Sequence, residues 1–169
     1  MDVFSRKEFG YPFKLDLKLI QGYGGPSPIV RGAVVMDLHK LNKIIEVNEK
    51  YAYALVEPGV SFFQLYEYIK ERKLNVWISA PALGWGSIIG NSLDRGWGYT
   101  PNGDNCSHIC GMEVVLADGT IFRTGMGQLE QAKCWQLFKN GYGPGFDGLF
   151  NQSNFGIVVK MVYTISVNF

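Results

Sequence analysis

The residues with the clearest capacity for chemistry lie in one stretch, 79–104, which reads Ser-Ala-Pro-Ala-Leu-Gly-Trp-Gly-Ser-Ile-Ile-Gly-Asn-Ser-Leu-Asp-Arg-Gly-Trp-Gly-Tyr-Thr-Pro-Asn-Gly-Asp. It carries little charge, and Gly84, Gly86, Gly90, Gly96, Gly98 and Gly103 sit among Pro81 and Pro101. Glycine accepts φ > 0 and lets backbone approach a flat or charged ligand that a Cβ would exclude. A Gly-rich surface loop joining two elements has the same composition, and composition alone favours the loop. A smaller candidate is Gly22-Tyr23-Gly24-Gly25-Pro26, either a tight turn with a packed ring or a phenol presented to a ligand.

Other chemistries find no support. Ser87, Ser92 and Ser153 lie in no Gly-x-Ser-x-Gly elbow, and a nucleophilic serine needs a histidine that sequence cannot place. His39 and His108 have no metal-ligand spacing around them and read as surface or supporting groups. Cys106, Cys110 and Cys134 are odd in number and imply no disulfide framework; the 106/110 spacing could put two thiols on one helical face, without further ligands for a metal. The phosphate loop ending in Gly-Lys-Ser/Thr and the dinucleotide fingerprint after a strand are both missing. With 18% charged residues and a net charge of +1, nothing points to nucleic acid. A hydrophobic content of 47% is enough for a core, and no run reaches membrane-spanning length, so a soluble, cytoplasmic protein is the default expectation. What remains suits a cofactor that brings its own chemistry, with the protein supplying position and hydrogen bonds.

Several elements must hold that stretch in place. Leu15, Leu17 and Leu19 alternate with Asp16 and Lys18 as in an edge strand, and 33–38 reads as a short buried strand followed by a helical turn around Leu41. Residues 44–47 and 51–56 form a hairpin around Asn48-Glu49-Lys50, stopped by Glu57-Pro58-Gly59. Ser61 and Gln64 form a capping box opening a helix whose buried positions are Phe62, Leu65, Tyr66 and Ile69. Residues 76–79 return as a strand, and 86–93 form a short helix whose N-terminus is a ready anion site. Residues 112–116 and 120–124 pair across Ala117-Asp118-Gly119, 135–140 read as a short helix, and 157–165 as a last strand.

Longer motifs add to this. Glu57-Pro58-Gly59-Val60, the run Gly90-Asn91-Ser92-Leu93-Asp94-Arg95-Gly96-x-Gly98-Tyr99-Thr100-Pro101, Gly111-Met112-Glu113-Val114-Val115-Leu116 and Arg123-Thr124-Gly125-Met126-Gly127 follow one another. Trp135-Gln136-Leu137-Phe138-Lys139, Asp147-Gly148 and Gln152-Ser153-Asn154-Phe155-Gly156-Ile157-Val158 complete the series. In collinear order over nearly all of 22–167, the series closely resembles the 4-cresol dehydrogenase (p-cresol methylhydroxylase) and vanillyl-alcohol oxidase family of FAD enzymes. The resemblance reverses the preference for a plain loop.

It implies an α+β FAD-binding domain of two subdomains over 22–167, with 1–21 a poorly matched N-terminal segment. It implies that Pro81, Leu83, Gly84, Ser87, Gly90, Asn91, Gly98 and Tyr99 line the flavin and pyrophosphate, and that Glu113, Gly156 and Ile157 lie nearer the adenosine half. Tyr23 matches a tyrosine placed on the substrate's phenolic oxygen, and Tyr99 a ring beside the flavin, so these two are the catalytic candidates. The implied reaction is loss of a benzylic hydride from a para-alkylphenol to flavin N5, helped by donors that favour the phenolate, with a quinone methide as product. The implied partners are a small phenolic substrate and a cytochrome or oxygen as electron acceptor; oligomeric state stays open.

Four departures stand against the pattern. Relatives place Ser-x-Gly-Arg/Lys-Asn before the Gly-Tyr-Gly turn, where this chain has Asp16-Leu17-Lys18-Leu19-Ile20; each charge-assisted bond lost there costs about 1–3 kcal/mol. Ala82 stands where oxidase-type members carry an aspartate, and Asn105 where a histidine is frequent. The match also stops where a substrate-binding cap would begin, so the expectation is a truncated chain without cap or covalent flavin attachment. Two other readings therefore stay open: a non-catalytic remnant keeping the fold, and an FAD-dependent hydroxy-acid dehydrogenase.

Overall fold

The computed structural model describes residues 13–16, 31 and 34–167. Two short strands, β1 (Phe13–Asp16) and β2 (Val34–Asp37), pair in parallel as a separate two-stranded sheet. The β-branched content of β2 suggested burial, yet Val34 and Val35 expose 47% and 42% of their surface. Strand propensity fixed the conformation here, while burial depends on a covering layer that propensity does not supply. Leu41 closes a reverse turn by donating to the Leu38 carbonyl at 3.0 Å, where a helical turn was expected.

The centre of the molecule is a five-stranded antiparallel sheet in the order β3-β4-β8-β6-β7. Its strands are β3 (Ile44–Asn48), β4 (Tyr53–Val56), β6 (Ile109–Leu116), β7 (Ile121–Arg123) and β8 (Gly156–Thr164). Both expected hairpins are present. A small sheet of β5 (Val76–Trp77) and β9 (Ser166–Val167) flanks it, so the strand expected over 76–79 is only two residues long.

Alternation along the strands gives the sheet two unlike faces. On one, Ala54, Val56, Met112, Val114, Met161 and Tyr163 join the main core; on the other, Tyr53, Leu55, Cys110 and Val162 form a smaller cluster against Trp135. A register shift between Ile109 and Met112 lets both residues face the core although they are three apart. Gly111 takes up that shift at φ +103°, a conformation open to glycine. A Cβ at Gly111 would also lie 2.6 Å from Trp135 Nε1, so the ring of the second cluster fits only over a glycine.

Helix α1 (Phe62–Glu71) covers the core face. Its capping box is complete: Ser61 Oγ accepts from Gln64 N at 3.2 Å and Gln64 Oε1 accepts from Ser61 N at 2.9 Å. Phe62, Leu65 and Ile69 are buried, each worth about 1.5–3 kcal/mol against exposure. Tyr66 is 53% exposed, so the apolar stripe is narrower than the i, i+3, i+4 spacing suggested. Residues 135–140 are successive turns, with Leu137 N donating to Cys134 O at 3.0 Å and Gly141 N to Phe138 O at 3.2 Å; too few apolar positions repeat there to hold a helix. Cys106 lies in a turn and Cys110 in β6, so they share no helical face.

Candidate functional site

Stretch 79–104 is bound to the rest of the fold at several points. The first N–H groups of α1, which a helix leaves without internal partners, donate to it: Phe62 N to Gly86 O at 3.3 Å and Phe63 N to Gly84 O at 2.9 Å. Ile88 N returns a bond to Val60 O at 3.0 Å. The segment thus runs beside the start of α1 as a short antiparallel bridge between Ser61 and Ser87.

Helix α2 (Ile88–Leu93) follows. Ser87 caps it, accepting from Gly90 N at 3.0 Å, and its hydroxyl donates to the Pro58 carbonyl. Asn91 N donates to Ser87 O at 2.9 Å. Ile88 N, Gly90 N and Asn91 N all have partners inside the protein, so among the described residues only the Ile89 N–H of this helix start is left to meet an anion, fewer than the expectation required. Ser87 is fully buried with its hydroxyl committed twice, which makes it a support of the wall.

The second half folds back on the first. Gly98 N donates to Gly103 O at 2.7 Å, Tyr99 N to Ala80 O at 3.2 Å and Asn105 N to Gly96 O at 3.2 Å. Ser79 Oγ and Thr100 Oγ1 are 2.8 Å apart. Beneath them, Tyr163 Oη donates to Asn105 Oδ1 at 2.9 Å, and Asn105 Nδ2 donates to Asn91 Oδ1 at 2.6 Å. Burial, with the nearby Asp104 charge, pushes the Tyr163 hydroxyl well above its ordinary value, so it stays a proton donor.

The glycines serve this closure in a way the sequence did not suggest. None of the six has φ > 0; the positive values among described glycines fall at Gly111, Gly119, Gly125 and Gly141. What matters is the missing Cβ. At Gly84 it would lie 2.6 Å from the Phe63 ring, at Gly96 it would strike the Asn91 amide, at Gly98 the Ser79 hydroxyl, and at Gly103 the Trp97 ring.

Outward, the stretch presents rings. Tyr99 is 82% exposed, Trp97 67% and Trp85 52%, the last edge-on to Phe63 with ring centroids 5.2 Å apart. Pro81 and Leu83 are half-buried and Ala82 is exposed. Asn91 is half-buried, and its Nδ2 has no acceptor among the described residues. Exposed aromatic surface and a carboxamide donor are the chemistry that a planar heteroaromatic group with hydrogen-bond acceptors would need, so these residues fit a flavin.

Glu113, Gly156 and Ile157 gather on the β6–β8 ladder, where Ile157 pairs with Val115 and Gly156 with Leu116. The Glu113 carboxylate accepts from Arg123 Nε and Lys160 Nζ, both at 2.8 Å. Burial alone would raise this carboxyl, but the Lys160 and Arg123 hydrogen bonds and charges hold it below its ordinary value. A Cβ at Gly156 would sit 2.5 Å from Val114 Cγ1, so that glycine is required by strand packing. Both ring nitrogens of His108 have partners, Thr164 Oγ1 at 3.1 Å and Asn102 O at 2.9 Å. Tyr23, the 22–26 turn and residues 17–20 lie outside the described residues.

Sequence reasoning missed Phe63 as the ring packed on this wall and Tyr163 as a support beneath it. Tyr163 is the one with a usable signal, a lone hydroxyl-bearing ring in an apolar strand that needs a buried partner.

A family model described as an FAD binding domain matches residues 21–125, and the chain belongs to that family, which makes FAD its cofactor. Its fold is the FAD-binding fold of the p-cresol methylhydroxylase and vanillyl-alcohol oxidase type. The structure of p-cresol methylhydroxylase with substrate bound superposes with a TM-score of 0.90 at 45% identity, over 96% of this chain and 32% of that one. 4-Ethylphenol oxidase from Gulosibacter chungangensis gives 0.88 at 44%, over 95% and 31%. The 4-cresol dehydrogenase [hydroxylating] flavoprotein subunit of Pseudomonas putida is 53% identical over 142 residues, 83% of this chain and 27% of that protein. The chain thus spans about a third or less of the length of these relatives.

Proposed function

We propose that this chain is the FAD-binding part of a flavin-dependent oxidoreductase acting on para-alkylphenols, with residues 22–167 as the FAD-binding domain and 1–21 as a less well matched segment. The observation that carries the reading is 53% identity to a 4-cresol dehydrogenase flavoprotein subunit through the region that builds the aromatic wall. Pro81, Leu83, Gly84, Gly90, Asn91, Gly98 and Tyr99 would hold the flavin and pyrophosphate, with Ser87 fixing the turn beneath them. Glu113, Gly156 and Ile157 would hold the adenosine half, the carboxylate acting through its two cations. Bound FAD supplies the acceptor for the hydride lost from the benzylic carbon.

The chain's own part is orientation and charge. A hydroxyl donor from Tyr23 toward the phenolic oxygen would favour its anion and so ease loss of the para-benzylic hydride, with the Tyr99 ring lining the pocket beside the flavin. Ala82 offers no acid or base at its position. A cytochrome or oxygen would then reoxidise the cofactor.

The test uses the 169-residue chain and the complete reading frame that contains it. The chain should retain FAD through desalting, and the full-length protein should have its flavin band bleached anaerobically by 4-cresol and not by glycolate. Bleaching by the hydroxy acid alone would replace the phenol reading, and a folded chain that retains no flavin would make it a non-catalytic module.

A further inference from the structure

The buried polar chain beneath the glycine stretch has a direction. Tyr163 Oη carries one hydrogen and has two acceptors in reach, Asn105 Oδ1 at 2.9 Å and Ser79 O at 3.4 Å. The first distance is that of a good hydrogen bond and the second lies beyond the usual O–H···O range, so the proton goes to Asn105. Oδ1 is then the accepting end of the Asn105 amide, and Nδ2 must face away from Tyr163. It faces Asn91 Oδ1, at 2.6 Å.

Asn105 is 0% exposed, so no water can complete a reversed amide. Turning over Asn105 alone would set its Oδ1 against the oxygen of Asn91, and turning both amides would leave the Tyr163 proton only the Ser79 carbonyl at 3.4 Å. The reversed chain exchanges a good buried hydrogen bond for a long one, a loss of about 1 kcal/mol. The polarity therefore passes along the chain: the phenol sets Asn105, and Asn105 sets Asn91. With Oδ1 drawn inward, Asn91 has its two Nδ2 hydrogens left over, and no described residue accepts them. Gly96 lies against the same amide, where a Cβ would collide with both its nitrogen and its oxygen, so the group is held on that side as well.

We infer that Tyr163 and Asn105 are positioning residues which fix the Asn91 carboxamide with its N–H₂ outward, as a donor to an acceptor atom of FAD. The inference rests on the FAD reading above. It assigns a cofactor-directed role to a strand tyrosine and a buried asparagine that do not themselves line the wall.

The experiment is a double-mutant cycle on the 169-residue chain, read as the Kd for FAD from quenching of flavin fluorescence, with folding followed by circular dichroism. Asn91→Leu and Asn105→Leu should each weaken binding about tenfold, equivalent to about 1.4 kcal/mol. The double variant should be no weaker than Asn91→Leu alone, because Asn105 acts through Asn91. Asn105→His should restore binding, since a neutral imidazole offers one acceptor to Tyr163 and one donor to Asn91. Tyr163→Phe, the gentler change should Asn105→Leu not fold, should weaken binding two- to fivefold and be silent in the Asn91→Leu background. Additive losses, or no loss in the Asn105 and Tyr163 variants, would overturn the relay while leaving FAD binding intact. A second readout needs no flavin: the Asn91 side-chain ¹⁵N order parameter should be high in the wild-type chain and fall in Asn105→Leu. An unchanged order parameter would overturn the relay, whereas absence of FAD binding in the wild-type chain would overturn the cofactor reading and with it Asn91's target.

Discussion

Residues 79–104 and 124–151 are both rich in glycine and exposed rings, yet one is closed upon itself and the other is open. In the first, the absent Cβ at Gly84, Gly96, Gly98 and Gly103 leaves room that a ring, an amide or a hydroxyl of the same neighbourhood fills. In the second, the Trp135 ring closes over Gly127, but beyond it a Cβ at Gly143 or Gly148 would meet nothing within 4 Å among the described residues, and Tyr142 is 95% exposed. It is held by Phe150, buried in the main core, by Phe146 and Phe150 against Phe122, by Trp135 Nε1, which donates to Thr124 O at 3.1 Å, and by Lys139 Nζ, which donates to Ser107 O at 3.0 Å. Glycine content is thus the same signal for two physical states. The difference lies in whether something occupies the vacated space, and that decides which region can hold a cofactor to the geometry that binding requires.

The largest test of this contrast is Gly98→Ala. The new methyl would strike the Ser79 hydroxyl, which is buried and engaged with Thr100, so neither backbone nor side chain can yield cheaply. We expect a loss of about 3 kcal/mol in chemical denaturation, at the upper end for overpacking. Ser79→Ala removes the colliding oxygen, and in that background Gly98→Ala should cost clearly less. Equal cost in both backgrounds would mean that the glycine is needed for some other reason.

Two buried carboxylates give the next test, with opposite signs. Glu113, on β6, is held below its ordinary value despite burial, because Lys160 and Arg123 outweigh desolvation. Its contribution is therefore complete above the unfolded carboxylate pKa of about 4.3 and is lost as pH falls through the folded value. Asp147, in the open segment, is raised by burial, against the smaller opposing effects of the Thr124 hydrogen bond and the Lys139 charge; its Oδ1 has no partner among the described residues. For Asp147 the folded state is favoured at low pH and penalised as pH rises past the unfolded value. Glu113→Gln should destabilise by about 1–2 kcal/mol at pH 7, the cations being partly exposed, and the deficit should shrink in acid. Asp147→Asn should instead stabilise by about 1 kcal/mol at pH 7, with the gain vanishing in acid. Denaturation midpoints at pH 7 and pH 3 check both; the same sign for the two variants would refute the distinction.

The fold was largely legible because its strongest signals are local. Ser61 and Gln64 announced α1, and Ala117-Asp118-Gly119 the second hairpin, through turn and cap chemistry that acts within a few residues. Tyr66 and Val34 were misread because burial depends on what packs against an element from far along the chain. The wall was legible as a place but not as a mechanism. Glycine suggested φ > 0, when Gly98 and Ser79 are nineteen positions apart in sequence and their contact is tertiary. Tyr163 and Asn91, brought together only through Asn105, gave no spacing to read.

The smallest expected effect is the most direct probe of the open segment. Gly143 has φ outside the left-handed region and open space where a Cβ would lie, so alanine fits the native backbone without strain. Replacing glycine at such a position restricts the unfolded chain and stabilises by about 0.4–1 kcal/mol. Gly143→Ala should therefore raise the midpoint slightly, opposite in sign to Gly98→Ala, although both are glycines beside exposed aromatic residues. A rise would show that Gly143 serves no packing role in the folded chain. If instead it costs stability, a neighbour must close over Gly143 in solution, and the second region would then be built like the first.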